Sequence, residues 1–316
     1  MKKLSIYILL TLPVLLLLTA NCKREDNEQE RKEALIRNML DEINADSVEA
    51  DVSWLQSMGT RFAIEQSHRN VAVRIKKRFI GMGYDDARLD SFFITKVYRN
   101  IGYDMWQYNV IAVIQGSQYP DSLCIIGGHY DDILSTGDPF TIVPGANDNA
   151  SGTAAVLEVA RVMKKLEFTP KRSIMFITFG AEELGLYGSF YFAGDPHEFK
   201  GKISFMLNND MIAYETETNP VLWTVNIMDY DNSHKLRSDA EQTIKKYLSL
   251  NYRNDNRNNK YSDSYPFFLN GYKALFFFSD KTDPNYHTLN DLKVNCNFNY
   301  CREIVRANCA LLAEKN

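Results

Sequence analysis

The residues of this sequence best suited to chemistry stand where short apolar runs give way to polar ones. The run 122–127 leads into Gly128, His129, Tyr130, Asp131 and Asp132, and the run 173–179 leads into Gly180, Ala181, Glu182 and Glu183. A third, 203–207, leads into Asn208, Asn209 and Asp210. Between the first two lies Gly145 to Gly152, centred on Asp148; after the run 274–279 come Tyr286, His287, Thr288, Leu289, Asn290 and Asp291. Neutral imidazole and carboxylate oxygens suit a zinc-like cation, and a bridging carboxylate lets two such ions sit about 3.5 to 4 Å apart around a shared water. Two histidines and four acids at strand ends thus make a dinuclear metal centre chemically sensible.

Taken singly, each residue has a plainer role. His129 alone reads as a hydrogen-bonded core or loop histidine, the pair Glu182 and Glu183 as a helix N-terminus, and Asp148 among asparagines as a turn or N-cap. Asp210 reads as a strand-end cap and Tyr286 as a packing aromatic. Only their joint placement favours chemistry. His68, His197 and His234 fall in no motif and read as surface histidines.

Such a cluster needs a sheet whose carboxyl edges converge, and the hydropathy pattern supplies one. Strands are predicted at 88–95, 108–115, 122–127, 173–179, 203–210, 221–225 and 274–279, and helices at 152–166, 184–193, 234–248 and 299–315. Two lead-in helices are expected from Ala34 to Ile43 and Val48 to Met58, and a third across Val71 to Phe79 that ends at Gly81 to Gly83. Strands alternating with helices imply an α/β fold, a single domain with a mostly parallel mixed sheet covered by helices on both faces. In such sheets ligands bind beyond the carboxyl ends of the strands. The Asn-rich stretch 251–259 reads as a surface loop.

The chain has 316 residues, 45% hydrophobic and 24% charged, with a net charge of −4. That balance carries no basic footprint and excludes a nucleic-acid partner. Lys2 and Lys3 precede an apolar run from Leu4 to Leu18 and then Thr19, Ala20, Asn21 and Cys22, the layout of a signal peptide. Residues 1–21 are therefore expected to be removed, leaving about −6. Cys22 resembles the lipid-bearing cysteine of a bacterial lipobox, although Asn21 departs from the small residue usual there. The expectation is an exported chain, lipid-anchored in the cell envelope, with 22–31 a polar tether and 32–316 the catalytic domain. No later run approaches the roughly 20 apolar residues of a membrane helix. Cys124 reads as a buried thiol, while Cys296 and Cys301 could pair, with Cys309 competing.

The motifs GGHYDD, GANDNASG, FGAEELGLYGS, NNDM and YHTLND occur in the order seen in the M28 family of zinc aminopeptidases, and the spacings of 19, 35, 27 and 77 residues between His129, Asp148, Glu183, Asp210 and His287 are similar to that family's. The resemblance covers roughly Thr60 to the C-terminus. It implies the zinc-exopeptidase (phosphorylase/hydrolase-like) fold and two Zn2+ ions, one held by His129 and Asp210, the other by Glu183 and His287, with Asp148 bridging. It further implies that Asp131 holds the second imidazole nitrogen of His129, that Glu182 is the general base, and that a cis peptide follows Asp148. Tyr286, beside a ligand, is a candidate donor to the developing oxyanion.

The implied activity is release of the N-terminal residue from a peptide with a free amino terminus, by a monomer. A glutaminyl cyclase-like enzyme with one zinc is the first alternative. Its bridging-acid motif generally reads Asp-Ser, whereas here Asn149 follows Asp148, and Glu183 runs directly into Leu184, Gly185 and Leu186. A zinc carboxypeptidase or other amidase is the second alternative; a non-catalytic module would have lost ligands. Where many family members have Ser-Asp-His before Pro-Phe, this chain has Ser262, Asp263, Ser264, Tyr265, Pro266 and Phe267, which leaves the five ligands intact and alters the substrate pocket. Phe267, Phe268 and Phe276 to Phe278 divide between that pocket and the core.

Overall fold

The apolar runs assemble into one eight-stranded sheet whose four central strands are parallel. The structure is a computed structural model and describes residues 28–194, 199 and 201–316. Its strands are β1 (Arg88–Tyr98), β2 (Ile101–Ile114), β3 (Tyr119–His129), β4 (Arg172–Phe179), β5 (Ile203–Asn209), β6 (Thr224–Met228), β7 (Asn251–Arg253) and β8 (Ala274–Ser279), in the order β1-β2-β4-β3-β5-β8-β6-β7. The pairs β4·β3, β3·β5 and β5·β8 are parallel, whereas β1·β2, β2·β4 and β6·β8 are antiparallel and β7 adds parallel to β6. This is the mixed, mostly parallel arrangement expected from the sequence.

The helices are α1 (residues 28–42), α2 (Ala45–Gln56), α3 (His68–Gly81), α4 (Ser151–Lys165), α5 (Tyr187–Gly194), α6 (His234–Tyr247), α7 (Ser264–Leu269) and α8 (Phe298–Glu314). Strand alternation divides the core: Cys124 and Ile126 of β3 join a large cluster with α1 to α4, α6 and α8, while Leu123 and Ile125 turn to a smaller one with Phe192 of α5 and Phe267 of α7. Both faces are thus covered, as burial of a parallel sheet requires. Gly152 lets α4 approach the end of β5, since a Cβ there would lie 2.0 Å from the Asn209 carbonyl oxygen.

Several expectations are corrected. The tether is expected to run to Arg31, yet the chain is helical from residue 28, and Lys32 and Glu33 pin α1 to Glu314 and Lys246. The rest of the tether, Cys22 and residues 1–21 lie outside the described residues, as does His197. The strand expected at 221–225 begins only at Thr224, because Pro220–Leu222 forms a capped 3₁₀ turn that leaves Val221 and Leu222 exposed. α5 starts at Tyr187 and not at Leu184, since Gly185 and Leu186 have positive φ. Within the Asn-rich loop, Asn251–Arg253 is strand β7. His68 is buried, its ring nitrogens 2.7 Å from the carbonyls of Glu65 and Trp106. Cys124, Cys296, Cys301 and Cys309 are all free thiols.

Candidate active site

The four central strands deliver the acids and histidines to one place. His129 is the last residue of β3, Glu182 and Glu183 follow β4, Asp210 follows β5, and His287 lies in the loop after β8. Asp148 sits in an irregular turn, Ala146–Ala150, that opens α4, and the Asp148 to Asn149 bond is cis, as the resemblance implied. Asp291 fixes that turn by accepting from the backbone N–H of Asn147 at 2.7 Å and of Asp148 at 2.9 Å. The Asn147 side chain donates to Asp283 at 2.8 Å and accepts from Ala213 N–H at 2.9 Å. Asn149 Oδ1 accepts from the N–H groups of Gly152 and Met211, tying the turn to the end of β5.

The five residues expected to bind metal converge. Asp148 lies between the two imidazoles, with Oδ1 3.4 Å from His129 Nε2 and Oδ2 3.0 Å from His287 Nε2. Asp210 Oδ1 faces His129 Nε2 at 3.4 Å, and Glu183 faces His287 Nε2 at 3.0 Å. Glu182 Oε2 is 3.9 Å from His129 Nε2. Potential ligand atoms of His129, Asp148 and Glu183, and separately of His129, Glu182 and Asp210, lie within 4.8 Å of one another. The two glutamates are thus told apart by the histidine each one faces.

The electrostatics are those of a site built for cations. Burial disfavours a charged His129, yet the carboxylates of Glu182 and Asp210 hold its pKa well above the usual value. His287 behaves alike: burial opposes its charge, but hydrogen bonds to Asp148 and Glu183 push it up to about 10. Burial raises Glu183 to about 8, and the charge of Asp148 adds to this. Burial likewise raises Glu182 far above the carboxylate range, against the pull of His129. Asp148 alone is lowered, because hydrogen bonds to both histidines outweigh its burial. Glu182 and Glu183 are thus biased towards holding protons, a positive charge that a divalent cation would supply instead. Asp210 Oδ1 is buried and accepts no hydrogen bond, an oxygen suited to a cation. The residues present fit a zinc-like metal.

Asp131 meets the second nitrogen of His129 as expected, though with its main chain and not its carboxylate. The His129 Nδ1 partner is its main-chain carbonyl at 3.1 Å, while the carboxylate, 3.7 Å or more from that nitrogen, accepts from the backbone N–H of Glu182 and Glu183 at 3.0 and 3.2 Å. One residue thus orients the His129 imidazole with its backbone and the paired glutamates with its side chain. Tyr286 stacks on His287 at a centroid distance of 3.7 Å and is half exposed at the mouth of the site.

Other contributors were not assigned from sequence. Ser262 donates to Asp210 Oδ2 at 2.7 Å, and the adjacent Asp263 is fully buried and raised to about 7 by that burial. Both lie in the stretch whose lack of a histidine was noted, so the signal was present. Arg61 is wholly buried, pairs with Asp132 at 3.1 Å and donates to the carbonyls of Tyr130, Pro144 and Gly145. It braces the two ends of the segment joining His129 to Asp148. A cavity of about 350 Å³ opens beside the cluster, lined in addition by Met211, Asn258, Tyr261, Phe276, Phe278 and Tyr286. Phe267 and Phe277 are instead in the core.

Residues 109–312 match the sequence model of peptidase family M28. The chain belongs to that family. A probable zinc metalloprotease of Leptosphaeria maculans is 31% identical over 192 residues, which are 57% of this chain and 44% of that protein. This member of the M28 family thus spans less than half the length of the curated zinc metalloproteases of Leptosphaeria and Pyrenophora that it matches. Among solved structures, the LapA aminopeptidase of Legionella pneumophila superposes with a TM-score of 0.75 at 24% identity, covering 89% of this chain and 73% of that one. A glutaminyl cyclase of Bacteroides thetaiotaomicron superposes with a TM-score of 0.70 at 17% identity over 87% and 99%. The M28 chain shares their α/β fold.

Proposed function

We propose that this protein is a dinuclear zinc aminopeptidase that releases the N-terminal residue of peptides. The observation that carries the proposal is Asp148, whose two oxygens are directed at two different imidazoles, each accompanied by its own further carboxylate. His129 and Asp210 would hold one ion, Glu183 and His287 the other, and Asp148 both. Bound zinc supplies Lewis acidity and a water acidified towards neutrality.

The chain's own residues do the rest. Glu182, held through its backbone N–H by Asp131, takes the proton of the attacking water and returns it to the leaving amine. Surplus carboxylate around the site attracts the substrate's α-ammonium, which favours a free amino terminus. Met211, Phe276 and Phe278 offer apolar surface to one side chain, and Tyr286, at the mouth, is placed to donate to the carbonyl oxygen as it gains charge. The family's zinc metalloproteases, and the fold shared with LapA, support the reading.

We also propose export, cleavage before Cys22 and lipid anchoring there, supported by the sequence pattern, with the protein acting as a monomer. Among the described residues no helix is long and apolar enough to cross a membrane.

The test is an assay of purified protein against aminoacyl amides and N-terminal glutamine peptides, with zinc counted by elemental analysis. Release of free amino acid with two zincs per chain is expected. Pyroglutamate with one zinc would establish the cyclase instead, and cleavage only at carboxyl termini the carboxypeptidase.

A further inference from the structure

The Asn-rich stretch that the sequence marks as a surface loop reaches the active-site cavity. Its 3₁₀ turn, Asn256–Asn258, and the residues after it bring Asn258 and Tyr261 to the cavity wall. Tyr261 is 75% exposed, so its own burial does not fix this wall. Polar contacts do: Asn226 exchanges two hydrogen bonds with the backbone of Asp255, Asn254 donates to the Ile227 carbonyl, and Asp229 adds four more. Asp229, just past β6, is 1% exposed, and its Oδ1 accepts from Asn254 Nδ2 at 3.0 Å and Asn256 Nδ2 at 2.8 Å. Its backbone completes the clamp, the N–H donating to Asn256 Oδ1 at 2.9 Å and the carbonyl accepting from Asn259 Nδ2 at 2.8 Å.

The other oxygen of Asp229 is held from behind. Oδ2 pairs with His234 Nδ1 at 2.7 Å and Arg237 Nε at 3.0 Å, both on α6, so the hub is braced on a helix while it grips the loop. Downstream, Tyr230 Oη donates to the carbonyl of Asn259, and Ser262 donates to Asp210. The segment is thus tied at one end to Asp229 and at the other to an expected metal ligand, with Asn258 and Tyr261 between.

We propose that Asp229 is a positioning residue for substrate binding: through Asn254, Asn256 and Asn259 it holds Asn258 and Tyr261 against the peptide, without touching the reacting atoms. This rests on the peptidase reading above. Four hydrogen bonds join Asp229 to the loop, two through its carboxylate and two through its backbone. Loss of the carboxylate pair should raise KM about tenfold. kcat and zinc content should stay within a factor of about two, since a binding contribution shared by ground and transition states leaves turnover alone.

The experiment compares wild type, Asp229→Ala, Asn256→Ala and Tyr261→Ala. Asn256→Ala removes two of the four hydrogen bonds from the loop side and spares the braces on α6, so it decides the matter if Asp229→Ala does not fold. Steady-state kinetics on a peptide, zinc analysis and hydrogen exchange are measured on each. The expected result is a raised KM in all three variants, with amide protection lost across 254–261 in the two clamp variants and kept in β5. A raised KM in Tyr261→Ala that does not increase further when Asp229→Ala is added places both on one path. Unchanged protection in the clamp variants overturns the clamp; lost protection with unchanged KM overturns its role in binding. A joint fall of kcat and zinc would show that Asp229 acts on the metal centre instead, and also overturns it. If wild type releases no amino acid, the peptidase reading fails by itself and the substrate role with it, while hydrogen exchange still decides whether Asp229 holds the loop.

Discussion

Glu182 and Glu183 are adjacent, chemically alike and assigned different work, so exchanging each for glutamine is the most searching test of the site. Glu182→Gln keeps shape and removes the base. Its backbone hydrogen bond to Asp131 does not depend on a negative charge, so the local structure should persist. General acid and base catalysis contributes about 10²- to 10⁴-fold, so kcat should fall at least about 10²-fold, or roughly 2.7 kcal/mol of barrier. Zinc should remain at two per chain. Glu183→Gln removes the carboxylate that faces His287 at 3.0 Å, and a neutral amide is a poor ligand beside an imidazole that must stay unprotonated. That variant should lose one zinc, and its activity should recover in part with excess zinc while that of Glu182→Gln does not. Elemental analysis and kinetics on both variants decide. If Glu182→Gln loses metal and Glu183→Gln keeps it, the roles are exchanged; full activity and full metal in both would refute the hydrolase reading.

Three further outcomes are expected. Arg61→Met leaves Asp132 buried without its partner, both side chains being fully buried, and should cost about 3 to 5 kcal/mol in urea unfolding; a loss below about 1 kcal/mol would show that Arg61 does not brace the site. Burial raises Asp51 to about 6 against the pull of Arg78, so the folded state binds the extra proton and stability should fall by about 2 to 3 kcal/mol as pH rises from about 4 to 6. Asp51→Asn should remove that slope, and unfolding curves of equal pH dependence would contradict it. Cys22→Ser should release the protein from membranes with its peptidase activity intact, and retention in the membrane fraction would count against lipidation there.

The sheet was legible because its apolar runs are short and their burial is nearly continuous. β8 falls exactly on its expected 274–279, and β4 within one residue. Legibility failed where exposure or distant partners decide. Val221 and Leu222 look like a strand but are exposed, and His68 looks free but is claimed by a carbonyl on β2. The site was legible as a list of residue types and much less as a network. Motif order named five residues that converge, yet the side chain of Asp131 serves the backbone of Glu182 and Glu183, and the loop 254–259 is held by Asp229, 25 or more residues earlier. No local pattern reports a hydrogen bond across such a separation.

The backbone bends sharply around the expected ligands. Among the described residues only seven other than glycine have positive φ, and three of them lie at the cluster: Ala181 before Glu182, Met211 after Asp210, and His287 itself. A non-glycine residue in the left-handed region is strained, by about 1 kcal/mol or more. Helical or extended geometry would carry each side chain onward past the sheet edge; the reversal turns it inward, towards the centre occupied by Asp148. The resulting convergence of carboxylates is itself unfavourable until cations neutralise it. Metal binding should accordingly stabilise the fold well beyond what its loops contribute alone.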